Sequence, residues 1–316
     1  MNFAPAYHLR TNKAVERLLF VEALRLASRT LPSRISRYTY VGMGGPYLED
    51  FNLLHLAFGI TDMISLEIKS DILTRQILNQ PHSCVTLTKN STRDFIEQMQ
   101  PRLKPYVIWF DYESPNWKEQ LEEVCDLLRQ LPSMSILKIT LPGRINWIGG
   151  KDNKEGAERL SAMFADYGPF DEAQVTKKSI SATMYSVCRK AIADAVPDTR
   201  QKCVRSLASY FYDDGTPILT IAMIVGPLDK VDCVSKELSS WPFADINWRG
   251  PKEIAVPSLS LREKLVVDSL LPNASARTII NKLKLRFGRD YQGSVSALTN
   301  YVELYRHVPQ FVRVTL

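Results

Sequence analysis

Tyr38-Thr39-Tyr40-Val41-Gly42-Met43-Gly44-Gly45-Pro46 is the stretch on which the reading of this chain turns. Residues 37–41 mix aromatic and β-branched side chains and predict a short strand. The glycines end it abruptly, and residues 47–58 follow as a helix with Leu48, Phe51, Leu54 and Leu56 as its apolar surface. A strand that breaks into glycines and reopens as a helix lets backbone pass close to a ligand. A side chain at Gly42 or Gly44 would block that approach, and the free N–H groups at the helix start can meet a polar or negative group. Glu67 stands 25 residues beyond Gly42 and closes the next predicted strand, 63–68, as a lone acid in an apolar run. A carboxylate there can accept hydrogen bonds from both hydroxyls of a ribose. The bland alternative is a tight turn and a surface carboxylate.

The same alternation runs on either side. A helix is predicted over 12–28, before the glycine strand. Beyond it, strands at 84–87, 106–110 and 135–141 alternate with helices at 71–78, 92–99 and 117–131. Residues 106–110 are apolar throughout, as expected of a strand covered on both faces. Such alternation predicts a parallel α/β sheet. An irregular stretch with Gly143, Gly149 and Gly150 leads to helices at 154–164 and 182–194. The pattern then changes to two strand-like runs, 204–212 and 217–225, joined by Asp213-Asp214-Gly215-Thr216, a strong hairpin signal. Three helices are expected in the tail, at 261–271, 276–287 (ended by Gly288) and 295–305, before a last strand at 311–314. These divide the chain into an N-terminal helical segment, 1–34, an α/β domain, 35–250, and a mostly helical, winged-helix-like C-terminal module, 251–316.

Composition limits the function classes. No run of eighteen apolar residues occurs, and the N-terminus lacks a basic start followed by an apolar stretch, so neither a membrane span nor a secretory signal is expected. Five cysteines at 84, 125, 188, 203 and 233 form no CxxC pair, which points to reduced thiols in the cytoplasm and no zinc site. The formal charge of +6 is unevenly spread: residues 251–316 hold ten Lys or Arg against five Asp or Glu, and the first 250 hold 30 against 29. A basic tail suits an anionic partner such as nucleic acid, with Lys282, Lys284, Arg286 and Arg289 as phosphate contacts. A protein partner, or a plain solvated face, is the alternative.

A nicotinamide dinucleotide domain would carry a third glycine where this chain has Tyr47, and would lack the terminal hairpin. Both observations favour S-adenosylmethionine. Over residues 35–226 the chain resembles the class I, Rossmann-like S-adenosylmethionine-dependent methyltransferases. The resemblance is carried by Tyr40-Val41-Gly42-Met43-Gly44-Gly45, Ser65-Leu66-Glu67, Asn90-Ser91, Phe110-Asp111-Tyr112-Glu113-Ser114-Pro115 and the hairpin. It implies that Gly42 and Gly44 line the methionine part of the cofactor, with Met43 and Gly45 between and beside them. Glu67, followed by Ile68, would hold the ribose, Asn90 or Ser91 would flank the adenine, and Asp111 would face the reaction centre. The family usually has an acid two positions before the first glycine, where this chain has Tyr40. That departure favours a rival reading, a catalytically degenerate fold that binds a nucleotide-like ligand or nucleic acid within a larger complex.

Methyl transfer requires an aligned nucleophile and sometimes removal of its proton. Asp111 and Glu113, after the fourth strand, are the candidate base or steering groups, with Tyr112 as a contact to substrate or cofactor. The run Asp-Tyr-Glu-Ser-Pro lacks the tandem proline and aromatic of the Asp-Pro-Pro-Tyr motif of amino-methylating nucleic-acid enzymes, which leaves an oxygen acceptor as the better expectation. Arg10 and Lys13 are candidates for an acidic substrate or the cofactor carboxylate, against simple helix capping by Thr11 or Asn12. His55 and His82 read as structural, and no metal site is indicated.

Overall fold

A computed structural model describes residues 10–99, 104–284, 286–287 and 290–309. The described residues divide into two compact units, one within 20–211 and 216–252, the other within 10–19, 212–215 and 253–309. Residues 10–19, the start of the first helix, are grouped with the tail residues.

In the larger unit the expected alternation is present. After helix α1 (Thr11–Ala27) come β1 (Thr39–Gly42), α2 (Glu49–Phe58), β2 (Asp62–Leu66), α3 (Ser70–Asn79), β3 (Val85–Thr88), α4 (Thr92–Gln98), β4 (Tyr106–Asp111), α5 (Trp117–Gln130) and β5 (Ser135–Pro142). Then follow α6 (Ile145–Ile148), α7 (Asn153–Met163), α8 (Ile180–Ala195), the hairpin strands β6 (Cys203–Asp213) and β7 (Pro217–Gly226), α9 (Leu228–Leu238) and β8 (Lys252–Ile254). The sheet order is β3-β2-β1-β4-β5-β7-β6-β8. β1 pairs in parallel with β2 and β4, β2 with β3, and β4 with β5, while β7 runs antiparallel to β5. This is the parallel α/β sheet with the terminal antiparallel hairpin that the sequence predicts. Sequence reading missed α6, α9 and β8.

Local sequence explains the elements. Gly59 takes the left-handed conformation (φ 68°) and its N–H closes α2 on the His55 carbonyl at 2.8 Å. α5 buries Trp117, Leu121, Val124 and Leu128, spaced as one helical face. β5 is buried along its whole length. Its position 138 is a lysine, only 1% exposed, whose Nζ lies 3.0 Å from the centre of the Trp109 ring and 4.6 Å from that of Phe20. Strand pairing sets Lys138 directly beside Trp109, so the cation rests on an aromatic face inside the sheet.

The smaller unit contains α10 (Leu261–Asp268), α11 (Ala276–Leu283) and α12 (Tyr291–Leu304) around Val267, Ile279, Ile280, Leu298 and Tyr301. α11 ends earlier than expected: Lys284 caps it in the left-handed conformation and donates to the Ile280 carbonyl at 2.8 Å. α12 begins earlier, because Asp290 caps it through the Gly293 N–H at 2.7 Å. Gly288, Arg289 and the strand expected at 311–314 lie outside the described residues. No helix among the described residues is long and apolar enough to cross a membrane.

Candidate active site

The chain runs from β1 outward through β2 to β3, then returns to β4 on the other side of β1. Such a reversal opens a crevice at the carboxyl ends of the two central strands. Register sets Gly42 beside Ser65 on one side and Trp109 on the other, so the glycine turn, Glu67 and Asp111 emerge on one edge of the sheet.

The glycine turn is held from α3. Gln76, fully buried, donates through Nε2 to the Gly45 carbonyl at 2.9 Å and accepts from Ser65 Oγ at 3.2 Å. Asn79 Nδ2 donates to the Pro46 carbonyl at 2.8 Å. Gly45 itself has φ 53°, a conformation that favours glycine. The other two glycines also have close neighbours within the protein. A Cβ on Gly42 would stand 2.5 Å from the Tyr40 hydroxyl, and one on Gly44 would meet Leu48, Phe51 at 2.9 Å and Ser65 Oγ at 3.0 Å. Protein side chains fill that space: Tyr40 of β1 beside Gly42, and Leu48 with Phe51 of α2 beside Gly44. Tyr40 is buried and packs edge-on against Phe51, with ring centres 4.8 Å apart.

Glu67 follows β2, where its own N–H donates to the Thr88 carbonyl at 3.1 Å. Its Oε1 accepts from the Lys69 N–H at 2.8 Å. The carboxyl is half-buried, and burial raises its pKa above the ordinary 4.5; the nearby Glu113 charge adds to this, while the Lys69 and Ile68 N–H groups and the Lys69 charge oppose it. Ile68 beside it is 61% exposed. A fixed, partly desolvated carboxylate next to an open apolar surface fits a ribose and its base, so the donor set suits S-adenosylmethionine.

Ser91 and Tyr112 each have a hydrogen-bond partner within the protein. Ser91 caps α4: its Oγ accepts from the Asp94 N–H at 3.0 Å, while Asp94 Oδ2 accepts from the Ser91 N–H and hydroxyl at 2.8 and 2.7 Å. Asn90 beside it donates through Nδ2 to Gln98 Oε1 at 3.4 Å. Tyr112 is buried, and its hydroxyl donates to Glu123 on α5 at 3.1 Å. Burial, together with Glu123, pushes its pKa well above 10. Asp111 is partly buried at the end of β4, opposite Thr140, and Glu113 is exposed two residues on.

Sequence reading missed Arg144 and Trp147. They follow β5 at the same edge, with the guanidinium 5.1 Å from the Trp147 ring centre and that ring 6.5 Å from Trp117. The glycines at 143, 149 and 150 were the available signal. Arg10 and Lys13 belong to the other unit. There Asp214, in the hairpin loop, accepts from Asn12 Nδ2 at 3.0 Å and from the Lys13 N–H, with the Arg10 and Lys13 charges nearby. Lys13 is 3% exposed. The rings of His55 and His82 stack at 4.0 Å, and among the described residues no group of three or more His, Cys, Asp or Glu is placed to hold a metal.

A family model described as "Putative O-methyltransferase" matches residues 5–316. The chain belongs to that family. It is accordingly an S-adenosylmethionine-dependent methyltransferase. No curated protein sequence matches this methyltransferase. Among solved structures it is similar to an rRNA methylase from Streptococcus thermophilus, at 11% identity over 64% of this chain and 93% of that one, with a TM-score of 0.35. It is also similar to the N-methyltransferase NodS from Bradyrhizobium japonicum, at 9% identity over 67% and 97% of the two chains, TM-score 0.35. A mutant of MtNAS in complex with S-adenosylmethionine matches at 12% identity over 68% of the methyltransferase and 62% of that chain, TM-score 0.35. Likenesses at this level carry no inference about the acceptor.

Proposed function

We infer that the methyl acceptor is a hydroxyl oxygen and that Asp111 removes its proton. What supports this most is the shared edge: Gly42, Glu67 and Asp111 end three adjacent parallel strands on both sides of the strand-order reversal. Gly42, Met43, Gly44 and Gly45 form the turn beneath the methionine part, Glu67 takes the ribose hydroxyls, and Ile68 with Asn90 borders the adenine. Bound S-adenosylmethionine supplies an electrophilic methyl group on a sulfonium. Asp111 accepts the proton as the acceptor oxygen attacks. Glu113, close enough to Glu67 to influence its titration, keeps the mouth of the crevice negative. Arg144 and Trp147 offer the acceptor a cation and a flat apolar face. The family description supports oxygen over nitrogen.

The test is methyl-label transfer from S-adenosylmethionine to a panel of phenols, alcohols, carboxylic acids and amines. Label should reach hydroxyl acceptors in a base-stable linkage, and Asp111→Asn should lower kcat by about a hundredfold or more with little change in cofactor affinity. Label confined to amines, or a base-labile ester, would sink the hydroxyl reading.

A further inference from the structure

The smaller unit carries a second surface, remote in sequence from the cofactor edge. α12 buries Ser294, Leu298, Tyr301 and Leu304. Its opposite side presents Gln292, Ser296 and Thr299, all exposed and spaced as one helical face, with Glu303 at the far end. The first three are uncharged and can both donate and accept hydrogen bonds. The exposed Gly293 lets another surface come close to the first turn. That turn lies against the end of α11: Tyr291 donates to Asn281 Oδ1 at 3.5 Å, and the Phe287 N–H donates to Ser294 Oγ at 3.0 Å.

Lys282, Lys284 and Arg286 stand exposed in and after that end of α11. The helix dipole explains a cation such as Lys282 in the last turn, but not Arg286, which lies past the cap. Three acids of the tail are engaged with other partners. Glu263 accepts from the Ser260 N–H at 2.8 Å as a helix cap, Asp268 binds Lys264 at 2.5 Å and Tyr301 at 2.6 Å, and Asp290 is the cap of α12.

We propose that this corner binds duplex DNA, with the Gln292–Ser296–Thr299 face of α12 in the major groove and Lys282, Lys284 and Arg286 on the flanking phosphates. An uncharged polar helix face bordered by cations matches a groove about 12 Å wide with base-edge donors and acceptors on its floor and phosphates on its rims. Double-stranded RNA does not fit, because its major groove is too narrow for a helix. Glu303, at the far end of the face, directs entry by the N-terminal half.

The experiment is fluorescence anisotropy of the full-length chain with a labelled mixed-sequence DNA duplex of about 25 base pairs, titrated between about 50 and 200 mM salt. Matched double-stranded and single-stranded RNA form separate arms. DNA binding should weaken steeply with salt. The combined variant Lys282→Gln, Lys284→Asn, Arg286→Gln should reduce the log–log salt slope by about 3 and the affinity at low salt by about tenfold or more. Gln292→Ala with Ser296→Ala should weaken binding several-fold while keeping the slope. Far-UV circular dichroism checks that each variant is folded. Binding that ignores salt, a combined variant with the parental slope, an unaffected Gln292/Ser296 variant, or preference for either RNA would each overturn the proposal.

Discussion

Glu67 shows how burial and ligand affinity work against each other at one residue. Burial first, then Glu113, raises its pKa in the folded chain above the ordinary 4.5. The fold therefore favours the protonated form. The stability this contributes is present below the unfolded value and is lost as pH rises through the raised one. A diol that donates hydrogen bonds needs the charged form, so affinity for S-adenosylhomocysteine should rise over that same window. Calorimetry across about pH 4.5 to 7 should show this, and Glu67→Gln should flatten the profile and cost about 1.5–3 kcal/mol at neutral pH. Glu113→Gln should move the edge to lower pH. A parental profile as flat as that of Glu67→Gln would take the carboxylate out of the ligand's reach. The position of Glu67 was legible from the sequence because a lone acid ending an apolar strand is costly without a use. The direction of Tyr112 was not, since only the packed α5 shows that its hydroxyl has Glu123 as a partner.

At the level of elements, the glycine turn was read correctly as strand, turn and helix, but for an incomplete reason. The sequence suggested that a ligand excludes side chains at Gly42 and Gly44; the packed structure supplies Tyr40, Leu48, Phe51 and Ser65 in that role. Gly44→Ala should therefore cost about 1–3 kcal/mol of stability even without ligand, as an overpacked site does. Urea denaturation reads this, and a variant as stable as the parent would show that α2 can give way. Ser91 belongs to the same level. Ser91→Ala removes the oxygen that receives the Asp94 N–H and should lower stability by about 1 kcal/mol. An unchanged denaturation midpoint would leave Ser91 open for the adenine. Capping by Ser91 could have been read from Asp94 three residues on, but ligand contact competed for the same residue.

For the whole molecule, the smaller unit has a core of its own, so its stability can be lowered selectively. Leu298 is fully buried there, and Leu298→Ala should cost about 2–5 kcal/mol. Hydrogen exchange should then quicken in α10 to α12 while β4 and β5 keep their protection. Equal loss in the central strands would mean that the units unfold as one. Sequence alone determined the order of strands and helices, the hairpin, the shared edge of the glycine turn, Glu67 and Asp111, and the concentration of basic charge in the last fifth of the chain. These follow from period, turn chemistry and charge, which are local. Tertiary structure decided which side chains are buried beside the crevice, which glycines answer to neighbours, that Lys138 lies under an aromatic ring, and that residues 10–19 group with the tail. Each of those depends on contacts between segments far apart in the chain, and local pattern does not record which partner will fill a given space.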